Sequence, residues 1–490
     1  MSRCLFFLFL TLFLVFTPIQ GVQAGHRGRD SLPRYLSALK DLDKGREGKA
    51  RILLARGPDI ILNEVILGQL MTRPGNEYAF DELAGFITVH PDWPDLKGIR
   101  MIAEQKIPAS FSHRQVINWF KAYSPLTDSG FVRYIDALNA TGQENLAIKL
   151  VRNRWIKKDF YKKSLLAFRS RYAPLLRLKE HRARLDRLLW DGKISSARYM
   201  YRFVRKSDKA MSKARIALSK NKGRITPLLK SVPKAMQKNA GLLYERVRWR
   251  RKHGLYKGVL EILEKPPVKL GRPKAWWQER HIMARRLMER KRFKRAYKLV
   301  TKHGLSRDDG FEYLQAEFLS GFLAFRLLNQ PRKAETHFDR LTKAANAPIS
   351  KARAYYWMGR IHEKLKRKDA ATQAYEVAAT FNTTYYGQLA ISKLYTRPTI
   401  RALAEPAIPS HIRDTFFSHV VIRVTQRLAR LGDYKRARRF CMASTSYAVN
   451  RVEFALLMEV AHMLEKPDWA IKAAKKAAQK GFLLTGAAYP

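Results

Sequence analysis

The chain has 490 residues, 46% of them hydrophobic, which is enough for a large folded core and excludes a disordered polymer. Lys and Arg number 95 against 41 Asp and Glu, a formal net charge of +54, so the folded molecule attracts acidic partners without the charge naming which acid. Only two cysteines occur, Cys4 and Cys441, and this excludes a disulfide-stapled scaffold.

The first residues set the compartment. Arg3 forms a short basic start, Leu5 to Phe16 is an apolar run, and Val22-Gln23-Ala24 is a small-x-small cleavage site, so residues 1–24 read as a cleaved secretory signal peptide. The run stops at Pro18, short of the roughly 20 residues a spanning helix needs. Cys4 leaves with the signal, and Cys441 alone can form neither an intramolecular disulfide nor a cysteine-based zinc site. No later segment is a long uninterrupted apolar run, so the expectation is a soluble periplasmic protein with no membrane contact after cleavage.

From Leu36 almost to the end, amphipathic helical periodicity is broken only by short Gly, Pro or basic turns, which predicts an all-α protein. One local pattern recurs in it: a turn residue, then a small residue five positions on, inside the next helix. It occurs at Gly142/Ala147, Gly192/Ala197, His253/Gly258, Lys291/Ala296, Asn329/Ala334, Lys366/Ala371, Gly432/Ala437 and Glu465/Ala470. From Gly258 to Ala371 the small positions lie about 38 residues apart, the length of two helices with their turns. The wide gaps after Ala197 and Ala371 each fit two units with one copy blurred.

A small residue early in the second helix lets a hairpin close tightly, and stacked hairpins bury a core that no single one could complete. The prediction is an α-solenoid superhelix of tetratricopeptide-like hairpins, irregular because the spacing drifts from the strict period of about 34 residues. The clearest unit runs from Ala352 to Ala379, with Trp357, Gly359, Ala371, Ala374 and Tyr375 in hairpin positions. Three prolines, Pro398, Pro406 and Pro409, then interrupt the register. They divide the chain into a superhelical domain (25–395), a linker (396–412) and a small helical domain (413–490) whose last helix turns at Gly481.

The search for chemistry eliminates more than it finds. There is no G-x-x-x-x-G-K-[ST] or G-x-G-x-x-G phosphate loop and no G-x-S-x-G elbow. His362-Glu363 begins like a zincin helix, but Lys366 stands where the second histidine would be, so no metal and no cofactor are expected. Cys441, following Phe440, suits a small core residue. The acids sit beside cations, Asp186 by Arg187, Glu245 by Arg246 and Glu279 by Arg280, and such neighbours are expected to lower their pKa. No carboxyl is nominated as a catalytic acid. The stretch "YERVRWRRKHG", Tyr244 to Gly254, interleaves Arg246, Arg248, Arg250 and Arg251 with Tyr and Trp. It reads either as a surface that stacks on rings and pairs with anions, or as a helix with an aromatic core stripe and a solvated basic face.

Several strings together resemble the N-terminal superhelical part of soluble lytic murein transglycosylases, especially the alphaproteobacterial type. They include "HPDWPDL" from His90, "PLTDSG" from Pro125, "HRARLDRLLW" from His181, "YERVRWRR" from Tyr244, "PISKARAYYWMGR" from Pro348 and "TTYYGQLA" from Thr383. The last two carry the family signature, Trp357 and Gly359 followed by Tyr386, Gly387 and Gln388. The resemblance implies a U-shaped superhelix to about Tyr395, then a helical linker domain, and peptidoglycan glycan strands as the partner held on a basic surface. In that family a following lysozyme-like domain does the chemistry, with the glutamate of a Glu-Ser dipeptide as acid and then base, and a Gly-Leu-Met-Gln motif in the cleft.

Neither motif occurs in these 490 residues, and "GQLM" from Gly68 is only a scrambled look-alike. The expectation is therefore a binding portion, either truncated or working with a separately encoded catalytic domain, that holds glycan without cutting it. The alternative is a periplasmic repeat scaffold for protein partners, since a fold does not fix a function. Nucleic acid draws only on the charge and conflicts with the signal peptide.

Overall fold

The computed structural model describes residues 31–397 and 405–484, and its regular structure is entirely helical, with 27 α-helices between Leu32 and Gln479. The predicted signal segment 1–24, residues 398–404 of the proline-containing linker and residues 485–490 lie outside the described residues. No described helix is long and apolar enough to cross a membrane.

The recurring pattern is a helix-terminating turn. Gly142, Gly192, Lys291, Asn329, Lys366, Gly432 and Glu465 all hold positive φ, from 50° to 75°. At most of these turns the next amide reaches back to the last helical turn in the six-to-one bond of a Schellman cap, as in Arg367 N to His362 O (3.0 Å) and Lys466 N to Ala461 O (2.9 Å). The residue five positions on then points into the hairpin: Ala147, Ala197, Ala296, Ala334, Ala371, Ala437 and Ala470 are all buried.

The eighth copy is displaced by one residue. Gly254, not His253, carries the positive φ of 72°, and Val259, not Gly258, is the fully buried partner. The pattern also has a copy that the sequence reading passed over, Gly45 with φ 83° and the buried Ala50. The wide gap after Ala197 contains a shortened hairpin, the helix Lys206–Lys220 capped by Asn221 at φ 49° and the six-residue helix Ile225–Lys230. The gap after Ala371 is filled instead by the passage from the helix Tyr385–Leu394 to the helices Ser410–Ser418 and Val420–Arg430.

Part of the cation excess is spent inside the fold. The last carbonyls of a helix have no intrahelical donor, and the macrodipole makes that end partly negative. Arg184, 3% exposed, donates to Trp155 O and to Lys158 O (2.9 Å) at the end of the helix Glu144–Lys157. Arg187 donates to Ile156 O (3.0 Å), and the fully buried Arg280 donates to Leu299 O (3.0 Å) in the last turn of Phe293–Val300. Burial pulls both Arg184 and Arg280 down to about 10, still well above neutral pH. Cys441 is also fully buried, and desolvation pushes its thiol up to about 12, as suits a core residue.

The superhelix returns to its own beginning. The last helices, from Ser410–Ser418 to Pro467–Gln479, share one hydrophobic core with the first ones, so that Trp93 and Phe440 meet edge to face at 4.8 Å. Buried Arg436 donates to Leu39 O (3.0 Å) and pairs with Asp43 (2.5 Å). Arg427 pairs with Asp59 (3.5 Å), His419 lies 3.4 Å from Asp92, and Arg439 pairs with Asp95. In each of these contacts the basic side chain comes from the late helices and the aspartate from the early ones. The charge asymmetry thus orients the closure as well as supporting it.

Candidate anion-binding surface

The helix Ala240–Lys252 carries all four candidate arginines. Asn239 starts it by accepting from Leu242 N–H (3.1 Å), and Gly241, Leu242, Tyr244, Glu245 and Val247 form its buried face. Gly241 is required by close approach, because a Cβ there would sit 2.2 Å from the Arg215 guanidinium carbon. Tyr244 packs at a tilt between Trp190 (4.9 Å) and Trp276 (5.8 Å), so this aromatic belongs to the core stripe. Half-buried Trp249 donates its indole N–H to Asn221 Oδ1 (2.8 Å), which ties this helix to the turn after Lys206–Lys220.

The four arginines are not equivalent. Arg251 grips Glu279 through two bonds (2.5 and 3.1 Å), Arg250 donates to Gly258 O (2.6 Å) and faces Glu261 at 3.7 Å, and Arg248 pairs with Glu245 (3.2 Å). Arg246 is half-buried, with burial and then the like charge of Arg250 lowering its pKa, and no acid pairs with it. Of the four, it is the cation with charge left to offer.

The acids also differ from expectation. Glu245 is 5% exposed, and burial raises its pKa in spite of Arg248 and Arg215. The sequence neighbours were the wrong ones to consult, because Asp186 pairs with Arg215 (2.5 Å) and Glu279 with Arg251, each from another helix. Glu245 lines a cleft of about 190 Å³ with Trp190, Lys220, Arg215 and Arg248.

The signature residues lie on the helices Pro348–Lys364 and Tyr385–Leu394. Trp357, 9% exposed, is ringed by Phe322 (5.6 Å), Phe325 (6.0 Å), Tyr356 (5.9 Å) and Phe338 (6.2 Å). Gly359 admits the ring of Tyr375, which a Cβ would meet at 2.6 Å, and a Cβ on Gly387 would lie 2.0 Å from Phe381 O. Tyr386 leans on Tyr356 at 5.4 Å, while Gln388 faces solvent. Tight helix contact, not a ligand, accounts for Trp357, Gly359 and Gly387.

A closed, all-helical superhelix with paired internal cations and a partly unpaired basic exterior defines the class of this protein. Solved structures with this fold include soluble lytic transglycosylases. The chain is similar to an inactive mutant of the lytic transglycosylase Slt from Pseudomonas aeruginosa, with TM-score 0.66, 16% identity, and coverage of 93% of this chain and 72% of that one. It is also similar to the 70 kDa soluble lytic transglycosylase of Escherichia coli, with TM-score 0.57, 14% identity, and coverage of 94% and 72%. A third is a complex of the 70 kDa soluble lytic transglycosylase with bulgecin A, with TM-score 0.52, 13% identity, and coverage of 92% and 72%. At such identities the likeness is one of fold. A scan of family models and a search of curated proteins gave no match.

Proposed function

We propose that this chain is the superhelical portion of a soluble lytic murein transglycosylase, acting in the periplasm to bind peptidoglycan glycan strands. The observation that carries the reading is the shared fold over 93% of the chain. The net charge of +54 supports it, since it gives the surface a physical reason to hold a wall polymer bearing acidic peptides. These 490 residues contain neither Glu-Ser nor Gly-Leu-Met-Gln, so the role proposed for them is holding; cleavage belongs to residues outside them or to a separately encoded domain. In this reading the helices up to Tyr385–Leu394 supply the superhelix, and those from Ser410–Ser418 onward supply the bundle that closes it.

Among Arg246, Arg248, Arg250 and Arg251, Arg246 is the proposed first contact with the polymer, because the other three have partners within the protein. The test is co-sedimentation with isolated cell-wall sacculi. The expected result is binding that falls as salt rises, with no release of 1,6-anhydromuropeptides. Absence of sacculus binding, together with capture of a defined protein partner that survives high salt, would replace this reading with that of a scaffold.

A further inference from the structure

A cavity of about 770 Å³ lies between the helix Ile194–Tyr199, the helix Lys206–Lys220 and the turn that follows it. Arg198, Lys213, Lys220 and Lys222 line it, and no acidic side chain does. All four are exposed and make no ion pair or side-chain hydrogen bond among the described residues. This is unlike the cavity of about 570 Å³ at the closure, where Arg73, Arg436 and Arg439 each face an acid, Glu47, Asp43 and Asp95. Four unpaired cations converging on one concavity repel one another. Folding alone gives no return for placing them there, so a counter-charge from outside is the missing component.

The arrangement also limits what that counter-charge can be. Lys213 and Lys220 are seven residues apart on one helix face, so their backbones are separated by about 10 Å along the axis. An extended chain with several charges can engage both at once and reach Arg198 and Lys222 on the same lining. The floor between them is apolar, made of Ile194, Ile216, Ala217 and Leu228. Carboxylates on aliphatic stems can lay their methylenes on such a floor while their heads reach the rim. A nucleic acid finds one guanidinium fork, Arg198, and one ring, Tyr201, on this lining.

We propose that this cavity is a binding site for an extended acidic peptide carrying two or more carboxylates. The inference rests on the cavity's own chemistry and holds whether or not the chain binds glycan. Trp249, by anchoring Asn221, keeps the turn bearing Lys222 in place.

The probe is fluorescently labelled hexaglutamate, titrated into the full chain and followed by anisotropy, with hexaglutamine as the neutral control. The expected result is salt-sensitive binding of hexaglutamate only, weakened about tenfold in the double variant Lys213→Gln/Lys220→Gln. Both lysines are exposed, and unchanged circular-dichroism melting verifies that the variant folds. A matched double variant elsewhere, Lys368→Gln/Lys475→Gln, removes the same charge and is expected to change affinity less than about twofold. Equal weakening in the two double variants would reduce the effect to net charge and overturn the proposal. So would equal binding of hexaglutamine, or tighter binding of a single-stranded oligonucleotide of equal charge.

Discussion

Lys366 holds a backbone conformation that its own side chain resists. Its φ of 60° lies in the left-handed region, as do those of Lys291, Asn329 and Glu465, and a Cβ there costs about 1 kcal/mol relative to glycine. The cap they form repays this by satisfying the carbonyls of the preceding helix. Replacing Lys366 with Gly is therefore expected to raise the unfolding free energy by about 0.5–1 kcal/mol, read from the urea midpoint. These turns were legible even without glycine because the small residue five positions on is the stronger signal. The same rule slips by one residue at His253, because the small residue five positions on, Gly258, is not the buried one; Gly254 is the turn and the larger Val259 the core residue. The candidate surface was less readable. A run of arginines announces charge, but which of them are neutralised depends on acids such as Glu279 and Glu261 that only folding brings near.

Between elements, one polar cluster joins three segments of the superhelix. Glu317, 1% exposed on the helix Phe311–Phe322, receives His337 Nδ1–H (2.6 Å) from the helix Pro331–Ala344 and faces His303 Nε2 at 3.4 Å. His303 Nδ1 accepts from Leu305 N–H (2.9 Å), and His337 Nε2 lies 3.1 Å from the Tyr297 hydroxyl. Each ring nitrogen therefore has a partner, and both rings address the negative charge of the Glu317 carboxylate. Burial works against that charge most strongly, but the bonds from His303 and His337 outweigh it and hold Glu317 down to about 2. Because the folded pKa is depressed, the stabilisation is complete above about pH 4.5 and is lost as pH falls toward 2. Glu317→Gln should cost about 3 kcal/mol at neutral pH, and the gap to the parent should close in urea melts taken at progressively lower pH. A gap independent of pH would show that lost shape, not lost charge, is responsible. Nothing in the sequence assembled this cluster, since its members span Tyr297 to His337 across helices of unrelated register.

For the whole molecule, closure is the property that an array of local hairpins does not supply by itself. Every hairpin forms from residues near in sequence, whereas the bond from Arg436 to Leu39 joins residues 397 apart. Loop-closure entropy makes such contacts late and costly, so the seam is expected to be the part that opens first. Arg436→Met removes the guanidinium shared by Asp43, Asp433 Oδ2 and the Leu39 carbonyl and should cost about 3 kcal/mol. The expected signature is a larger radius of gyration in X-ray scattering with helical content unchanged; loss of helix would point instead to collapse of the bundle. A second consequence concerns length. An open solenoid can gain or lose a repeat at little cost, because each unit answers only to its neighbours. Here the first and last helices must arrive at the same place, so the number of hairpins and the turn contributed by each are counted against a fixed circumference. Insertions belong in the loops, and a duplicated or deleted hairpin would leave the ends unable to meet.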